Sequence, residues 1–409
     1  MRSCKVNLLG IVKAILFLNL RTMLLLILLF GSVAYLYVLA TLQAMGQAAV
    51  EVLEKNAEDT EILDKSSALA PPTDTKRTAV IIITQMRSGS TFVGEIFNQH
   101  PGAFYIFEPL WALENHRNKT YKNNPGMQLE LLRGVSSCRF DKIKNIMKFY
   151  LTTPGLGVMK TCQTVDKMCD RFRDKRENAT WPKRCPIPDV KLPSVLQRTC
   201  EAKQFTAIKT IRLDDINLLQ PLTEQTDLNF KIIQLVRDPR AVIASRLNLS
   251  KKNVSVMTVL HSKVDKEEVK QLCDWMIKTV EPFKNSTDWL RERFAMLRYE
   301  DVGMHPITTM EKLYNFIGVP AKTEVSKWLE SHVHAAKKRK DRENPFGTKK
   351  DPVKSSNEWR SRLSIYQVHT IQSNCKKALE LFHYPWVKTK EELRDPSLNL
   401  YKDRYSLIP

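Results

Sequence analysis

Three short stretches carry the residue types that could do chemistry. The first, Arg87-Ser88-Gly89-Ser90-Thr91, puts a cation, a glycine and three hydroxyls into five positions. Such a turn suits a phosphate or sulfate. The glycine lets backbone approach the ligand, the arginine offers a planar fork to its oxygens, and N–H groups at a helix start point at negative charge. A serine-capped helix start looks similar and is common. The second stretch, Arg237-Asp238-Pro239-Arg240, continues through Ala241-Val242-Ile243-Ala244 to Ser245. Pro239 suits a first helical turn and Asp238 its cap. Arg237, Arg240 and Ser245 together can hold a second phosphate. The third is Phe107-Glu108-Pro109-Leu110-Trp111, a carboxylate among aromatic side chains. A partly desolvated carboxylate can serve as a general base, although a strand-end Glu before a turn Pro is the plainer alternative.

The elements that position these stretches are legible from apolar patterning. Ala79-Val80-Ile81-Ile82-Ile83 is short, continuously apolar and β-branched, as expected of a buried parallel strand. It runs directly into the Arg87 turn. A helix over Phe92–Gln99 comes next and ends at Pro101-Gly102. Phe104–Phe107 predicts a second strand, placing Glu108 in the turn after it, and Phe205–Ile208 a third. Phe230–Val236 predicts a fourth, with a helix over Ala241–Leu247. Repeated strand–turn–helix units imply an α/β fold, with a mostly parallel sheet flanked by helices. If the second strand pairs beside the first, Glu108 falls near the Arg87 loop. Residues 115–200 and 249–290 are expected to be insertions or helical caps. Lys209 and Arg212, at the end of the third strand, are candidates for the same cleft. His100 and His116 have no partner pattern.

The chain has 409 residues, 43% hydrophobic and 26% charged, which excludes collagenous, disordered and multi-span membrane classes. Lys and Arg number 64 against 44 Asp and Glu, a net charge of +20. Such an excess points to a polyanion: nucleic acid, a membrane surface or an acidic glycan. Met23 to Leu42 contains no charged residue and is long enough to cross a bilayer. A cleaved signal peptide would carry a shorter apolar region. Arg2, Lys5, Lys13 and Arg21 precede the run, and on its other side acidic residues dominate from Glu51 to Asp64. Positive charge stays cytosolic. The expected layout is a cytosolic tail (1–21), a transmembrane signal-anchor (22–42), a lumenal stem (43–77) and a lumenal domain (78–409), which sets nucleic acid aside as a partner.

Of the eight cysteines, seven lie beyond the apolar run. Cys162, Cys169, Cys185 and Cys200 crowd together, where disulfides are favoured over zinc because no tight Cys-x2-Cys pair is present. An odd number leaves one thiol over. Sequons at Asn118, Asn178, Asn253 and Asn285 are candidate glycosylation sites; a fifth, Asn248, lies just after the Arg237–Ser245 stretch.

Taken in order, the motifs resemble the Golgi carbohydrate sulfotransferases. The closest likeness is to the galactose, N-acetylgalactosamine and N-acetylglucosamine 6-O-sulfotransferases, in the chondroitin 6-sulfotransferase and keratan sulfate sulfotransferase branch. The likeness rests on Arg87–Gln99, Phe107–Trp111, Ala207–Arg212, Ile233–Ser245, Leu297–Asp301 and Glu358-Trp359-Arg360, and extends from about residue 78 to the C-terminus. It implies a P-loop-like sulfotransferase fold. The implied sulfuryl donor is 3′-phosphoadenosine 5′-phosphosulfate, used without a metal. Met86, Arg87, Ser88, Gly89, Ser90, Thr91 and Phe92 would form the 5′-phosphosulfate site. Arg237 through Ser245 would form the 3′-phosphate site, with Arg237 and Ser245 as the main contacts. Glu108 would be the catalytic base, with Arg87 and Lys209 also in the catalytic set. The implied acceptor is a hexose 6-hydroxyl of a glycan, in the Golgi lumen; a homodimer is left open. A basic run at Lys337-Lys338-Arg339-Lys340 is expected to meet the acidic glycan or the donor. The rival reading is a non-catalytic lumenal binder of acidic glycans on a relic nucleotide fold. A kinase-like site is disfavoured because the loop lacks the Lys-Ser/Thr pair of a nucleotide-triphosphate loop.

Overall fold

The computed structural model describes residues 76–153, 162–173, 185–225, 227–250, 260, 262–285, 288–333 and 351–401, with scattered helical positions between 19 and 47. Contacts divide the chain into two units, 1–68 and 69–409. In the first, the described positions are helical and exposed. Among the described residues no helix is long and apolar enough to cross a membrane. Most of the expected anchor and stem lies outside them, as do Asn178, Asn253 and the 337–350 basic run.

The second unit is built on one five-stranded sheet in the order β2-β3-β1-β4-β5. The strands are β1 (Arg77–Thr84), β2 (Ala103–Phe107), β3 (Phe205–Thr210), β4 (Leu228–Val236) and β5 (Phe294–Arg298), and every pairing is parallel. The central strand β1 is buried from Thr78 to Thr84, as its unbroken apolar run requires when helices cover both faces. Four strands match the sequence expectations. The fifth, Phe294–Arg298, went unpredicted because Phe294-Ala295-Met296-Leu297 has no β-branched residue, and Ala, Met and Leu favour helix, after the charged run Arg291-Glu292-Arg293.

One expectation is corrected. β2 does not pair beside β1; β3 lies between them, with Phe107 opposite Lys209 and Lys209 opposite Ile82. Glu108 is therefore two strands from the Arg87 loop, a lateral offset of about 9–10 Å. The sheet order also fixes where a ligand can bind. After β1 the chain moves toward β2, and after β4 it moves to β5 on the other side. The loops leaving β1 and β4 thus part at the carboxyl edge, the place where open parallel sheets form a crevice. Thr84 pairs with Leu235, so the two motif loops start level.

Helices from both expected insertion regions pack onto this frame. In the Lys266–Lys284 helix, the Trp275 indole donates to Leu213 O at 2.8 Å, and Gln234 of β4 donates to Met276 O at 3.1 Å. Three disulfides tie distant segments: Cys138–Cys200, Cys169–Cys185 and Cys273–Cys375. Only one joins two members of the crowded quartet. Cys162 is a buried thiol; its sulfur accepts from Phe107 N at 3.3 Å, just before Glu108.

Candidate functional site

The Arg87 loop leaves β1 and enters the Ser90–Asn98 helix through Gly89, whose φ of 82° is left-handed. No side chain caps this helix start; Phe92 N and Val93 N bond back to Gly89 O, which leaves the N–H groups of Ser90 and Thr91 to meet an anion. Arg87 also has a positive φ, 76°, in a non-glycine residue, the kind of strain found at ligand sites. Its Nε donates to Ser245 Oγ at 2.9 Å. Ser88 and Ser90 are buried, and Phe92 packs its ring 5.4 Å from Trp328. Met86 is exposed, and its carbonyl accepts from Arg246 at 3.1 Å.

The loop after β4 meets the first one directly. Arg237 donates to Arg87 O at 2.9 Å and to Ser355 O at 2.7 Å, and its guanidinium lies 4.8 Å from the centre of the Tyr299 ring. Its Nε is buried with no hydrogen-bond partner, a donor that an incoming anion would satisfy. Burial, then the nearby charges of Arg237 and Arg362, hold the Arg87 pKa below its ordinary value. Two arginines thus converge where one incoming anion relieves both.

Arg240 departs from the sequence expectation. It is fully buried, paired to Asp238 at 2.8 Å, bonded to Gln372 and Pro385 O, and stacked 4.4 Å over Trp359. With its fork committed inside the protein, it braces the loop and has no face for a phosphate. Asp238 does cap its helix, accepting from Arg240 N at 2.9 Å. Pro239 opens that helix, and the side chains from Ala241 to Ala244 are buried. Arg237 and Ser245 are the members of the stretch that remain partly exposed.

Glu108 sits after β2 with a φ of 55° and is 2% exposed. Its Oε1 accepts from Lys209 Nζ at 2.5 Å, and its Oε2 accepts from Arg212 at 2.6 Å and from Ile211 N at 3.2 Å. Arg212 also holds Glu114 at 2.6 Å. Lys209 is buried under the Phe107 ring, 4.4 Å from its centre. Burial lowers its pKa, and the Glu108 carboxylate opposes that effect. The Tyr150 hydroxyl donates to Phe107 O at 2.5 Å, fixing the strand end that presents Glu108.

Sequence reasoning gave no role to Tyr299, Glu300 or Ser355. The motif Leu297–Asp301 was the available signal. Tyr299 packs against Gly89 and Arg237, while Glu300 accepts from Asp238 N at 3.1 Å and from the Tyr384 hydroxyl at 2.9 Å. His100 is structural: its ring bonds Pro320 O and Gly102 N. Asn118, Asn248 and Asn285 are exposed.

An uncapped helix start beside two arginines, with a buried carboxylate two strands away, is a place suited to an anion next to a titratable group. Residues 77–383 match the sulfotransferase domain model. Carbohydrate sulfotransferase 3 of Tetronarce californica is 31% identical over 80% of this chain and 77% of its own. Human carbohydrate sulfotransferase 1 is 27% identical over 80% of this chain and 84% of its own. Among solved structures, the sulfotransferase domain of the Synechococcus PCC 7002 olefin synthase aligns over 77% of this chain and 98% of its own, at 18% identity and a TM-score of 0.41. The chain belongs to the carbohydrate sulfotransferase family.

Proposed function

We infer that this enzyme transfers a sulfuryl group from 3′-phosphoadenosine 5′-phosphosulfate to the 6-hydroxyl of a hexose (N-acetylgalactosamine, galactose or N-acetylglucosamine) in a glycan of chondroitin or keratan type. The observation that carries the reading is the meeting of the two motif loops, Arg87 on Ser245 and Arg237 on the Arg87 carbonyl. A donor with phosphates at both ends of its ribose needs two such loops side by side. Arg87 and the N–H groups of Gly89–Thr91 would hold the 5′ group, the Ser88 N–H being taken by Gln85 O at 3.3 Å, and Arg237 with Ser245 the 3′-phosphate.

The donor, when bound, supplies an activated sulfuryl group with a phosphate leaving group. Arg87 and the helix start offset charge that builds on that phosphate as the S–O bond breaks. The sugar oxygen forms the new bond to sulfur, and its proton passes to Glu108. Lys209, Arg212 and the Ile211 N–H orient the carboxylate, and the two-strand offset of Glu108 leaves width for an acceptor between base and donor. The membrane anchor, a Golgi lumenal catalytic domain, glycosylation at Asn118, Asn178, Asn253 and Asn285, and homodimerisation belong to the same proposal. Three disulfides support an oxidising compartment.

The test is incubation of the purified chain with sulfur-labelled donor and a panel of desulfated glycans. Label at hexose O6 is expected. No label on any acceptor would overturn the reading.

A further inference from the structure

The Arg298–Asp301 segment at the end of β5 touches both anion-binding loops. Tyr299 lies against Gly89 and Arg237. Glu300, 1% exposed, meets the second loop, accepting from Asp238 N at 3.1 Å, and also accepts from the Tyr384 hydroxyl at 2.9 Å. Asp238 is the residue directly after Arg237, so the carboxyl that fixes the Asp238 amide also fixes the root of the Arg237 side chain.

We propose that Glu300 is a positioning residue of the donor site, its carboxyl joining the Asp238 amide to the Tyr384 hydroxyl so that its protonation state sets affinity for a phosphate held at Arg237. The proposal rests on the donor reading above. Asp238 and Arg237 face Glu300 from the β4 loop, Tyr384 and Tyr401 from the C-terminal segment, and Arg298 and Tyr299 from its own. Asp238 is itself ionised and paired with Arg240 at 2.8 Å. Burial, then the Asp238 charge, push the Glu300 carboxyl up to about 7, with Arg237 pulling the other way. Protonated, Glu300 leaves the Arg237 charge to the ligand. Ionised, it adds a negative charge beside Arg237 and weakens the field at the phosphate. A bound anion therefore favours the protonated form, and binding takes up a proton near neutral pH.

The experiment measures 3′-phosphoadenosine 5′-phosphate binding calorimetrically to the purified full chain and to Glu300→Gln, from pH 6 to 8, in buffers of different ionisation enthalpy. Comparing the two cancels the ligand's own titration. The affinity advantage of Glu300→Gln is expected to widen about fivefold across the range. The unmodified enzyme should take up more protons than the variant at pH 7. Parallel pH profiles with equal proton uptake would overturn the proposal while leaving the donor reading intact; no binding at any pH by the unmodified enzyme would overturn the donor reading itself. Should Glu300→Gln fail to fold, Tyr384→Phe serves in its place. Loss of the hydroxyl donor disfavours the ionised carboxyl and should move the midpoint of the profile upward, and an unmoved midpoint would count against the proposal.

Discussion

Gly89 and the Tyr299 ring occupy adjoining space with no room for a methyl group between them: a Cβ built on Gly89 would lie 2.1 Å from Tyr299 Cδ2. The φ of 82° at Gly89 adds a backbone reason for glycine. Gly89→Ala should therefore cost roughly 1–2 kcal/mol from the left-handed backbone alone, plus displacement of a ring that also underlies Arg237. Thermal melting together with 3′-phosphoadenosine 5′-phosphate affinity checks this. Both should fall, and an alanine variant with unchanged binding would mean that the ring does not set the loop.

Arg237→Ala should weaken 3′-phosphoadenosine 5′-phosphate binding by about 1.5–3 kcal/mol, the range for a hydrogen bond to a charged group, with a much smaller effect on acceptor KM. Equilibrium titration of both ligands provides the comparison. Unchanged nucleotide affinity would remove Arg237 from the donor site.

Glu108→Gln should cut turnover by about 10²–10⁴-fold while leaving donor affinity near normal. Glutamine keeps an acceptor for Lys209 or Arg212 but cannot take the proton. The same change breaks a buried pair with Lys209 and leaves an uncompensated ammonium, so some loss of stability is also expected. Turnover, nucleotide affinity and melting temperature measured on one preparation separate the two effects. A folded variant with wild-type turnover would end the assignment of Glu108 as base.

Stability should depend on pH through Glu300. Its carboxyl rises from 4.5 to about 7 on folding, so the folded state holds a proton that the unfolded state releases first. That contribution, on the order of 3 kcal/mol for a shift of this size, is fully present below about pH 4.5 and is lost as pH rises through about 7. Melting temperatures of the unmodified enzyme and Glu300→Gln should diverge between pH 5 and 8, in favour of the variant at high pH. A constant difference would show that Glu300 does not titrate in this window.

Joint replacement of Cys273 and Cys375 by serine opens a covalent loop with a sequence separation of 102. The chain-entropy model puts the loss at roughly 4–5 kcal/mol. Denaturant unfolding should show a lower midpoint, and the effect should vanish when both proteins are compared under reducing conditions.

The local elements were largely legible in the sequence. Ala79–Ile83 and Phe230–Val236 are continuous apolar runs flanked by turn residues, and burial on both faces of a parallel sheet demands that pattern wherever the partners lie. The Arg87 and Arg237 turns were legible too, because strand–turn–helix transitions and their caps depend on residues close in sequence. What the chain order could not reveal was the lateral order of the strands. β3 inserts between β1 and β2 because of contacts made over a hundred residues apart, and that insertion pairs Glu108 with Lys209 and Arg212. Side-chain direction was equally hidden. Arg237 and Arg240 look equivalent in the sequence, yet one stays partly exposed and bonds the Arg87 carbonyl of the neighbouring loop, and the other turns inward to Asp238 and Trp359. Local patterning thus determined four of the five strands and the two strand–turn–helix transitions, and the ordered set of motifs carried the family resemblance. Tertiary packing alone decided which cations stay exposed at the two turns, which cysteines join, and what holds Glu108, because those outcomes depend on long-range contacts that no local pattern encodes.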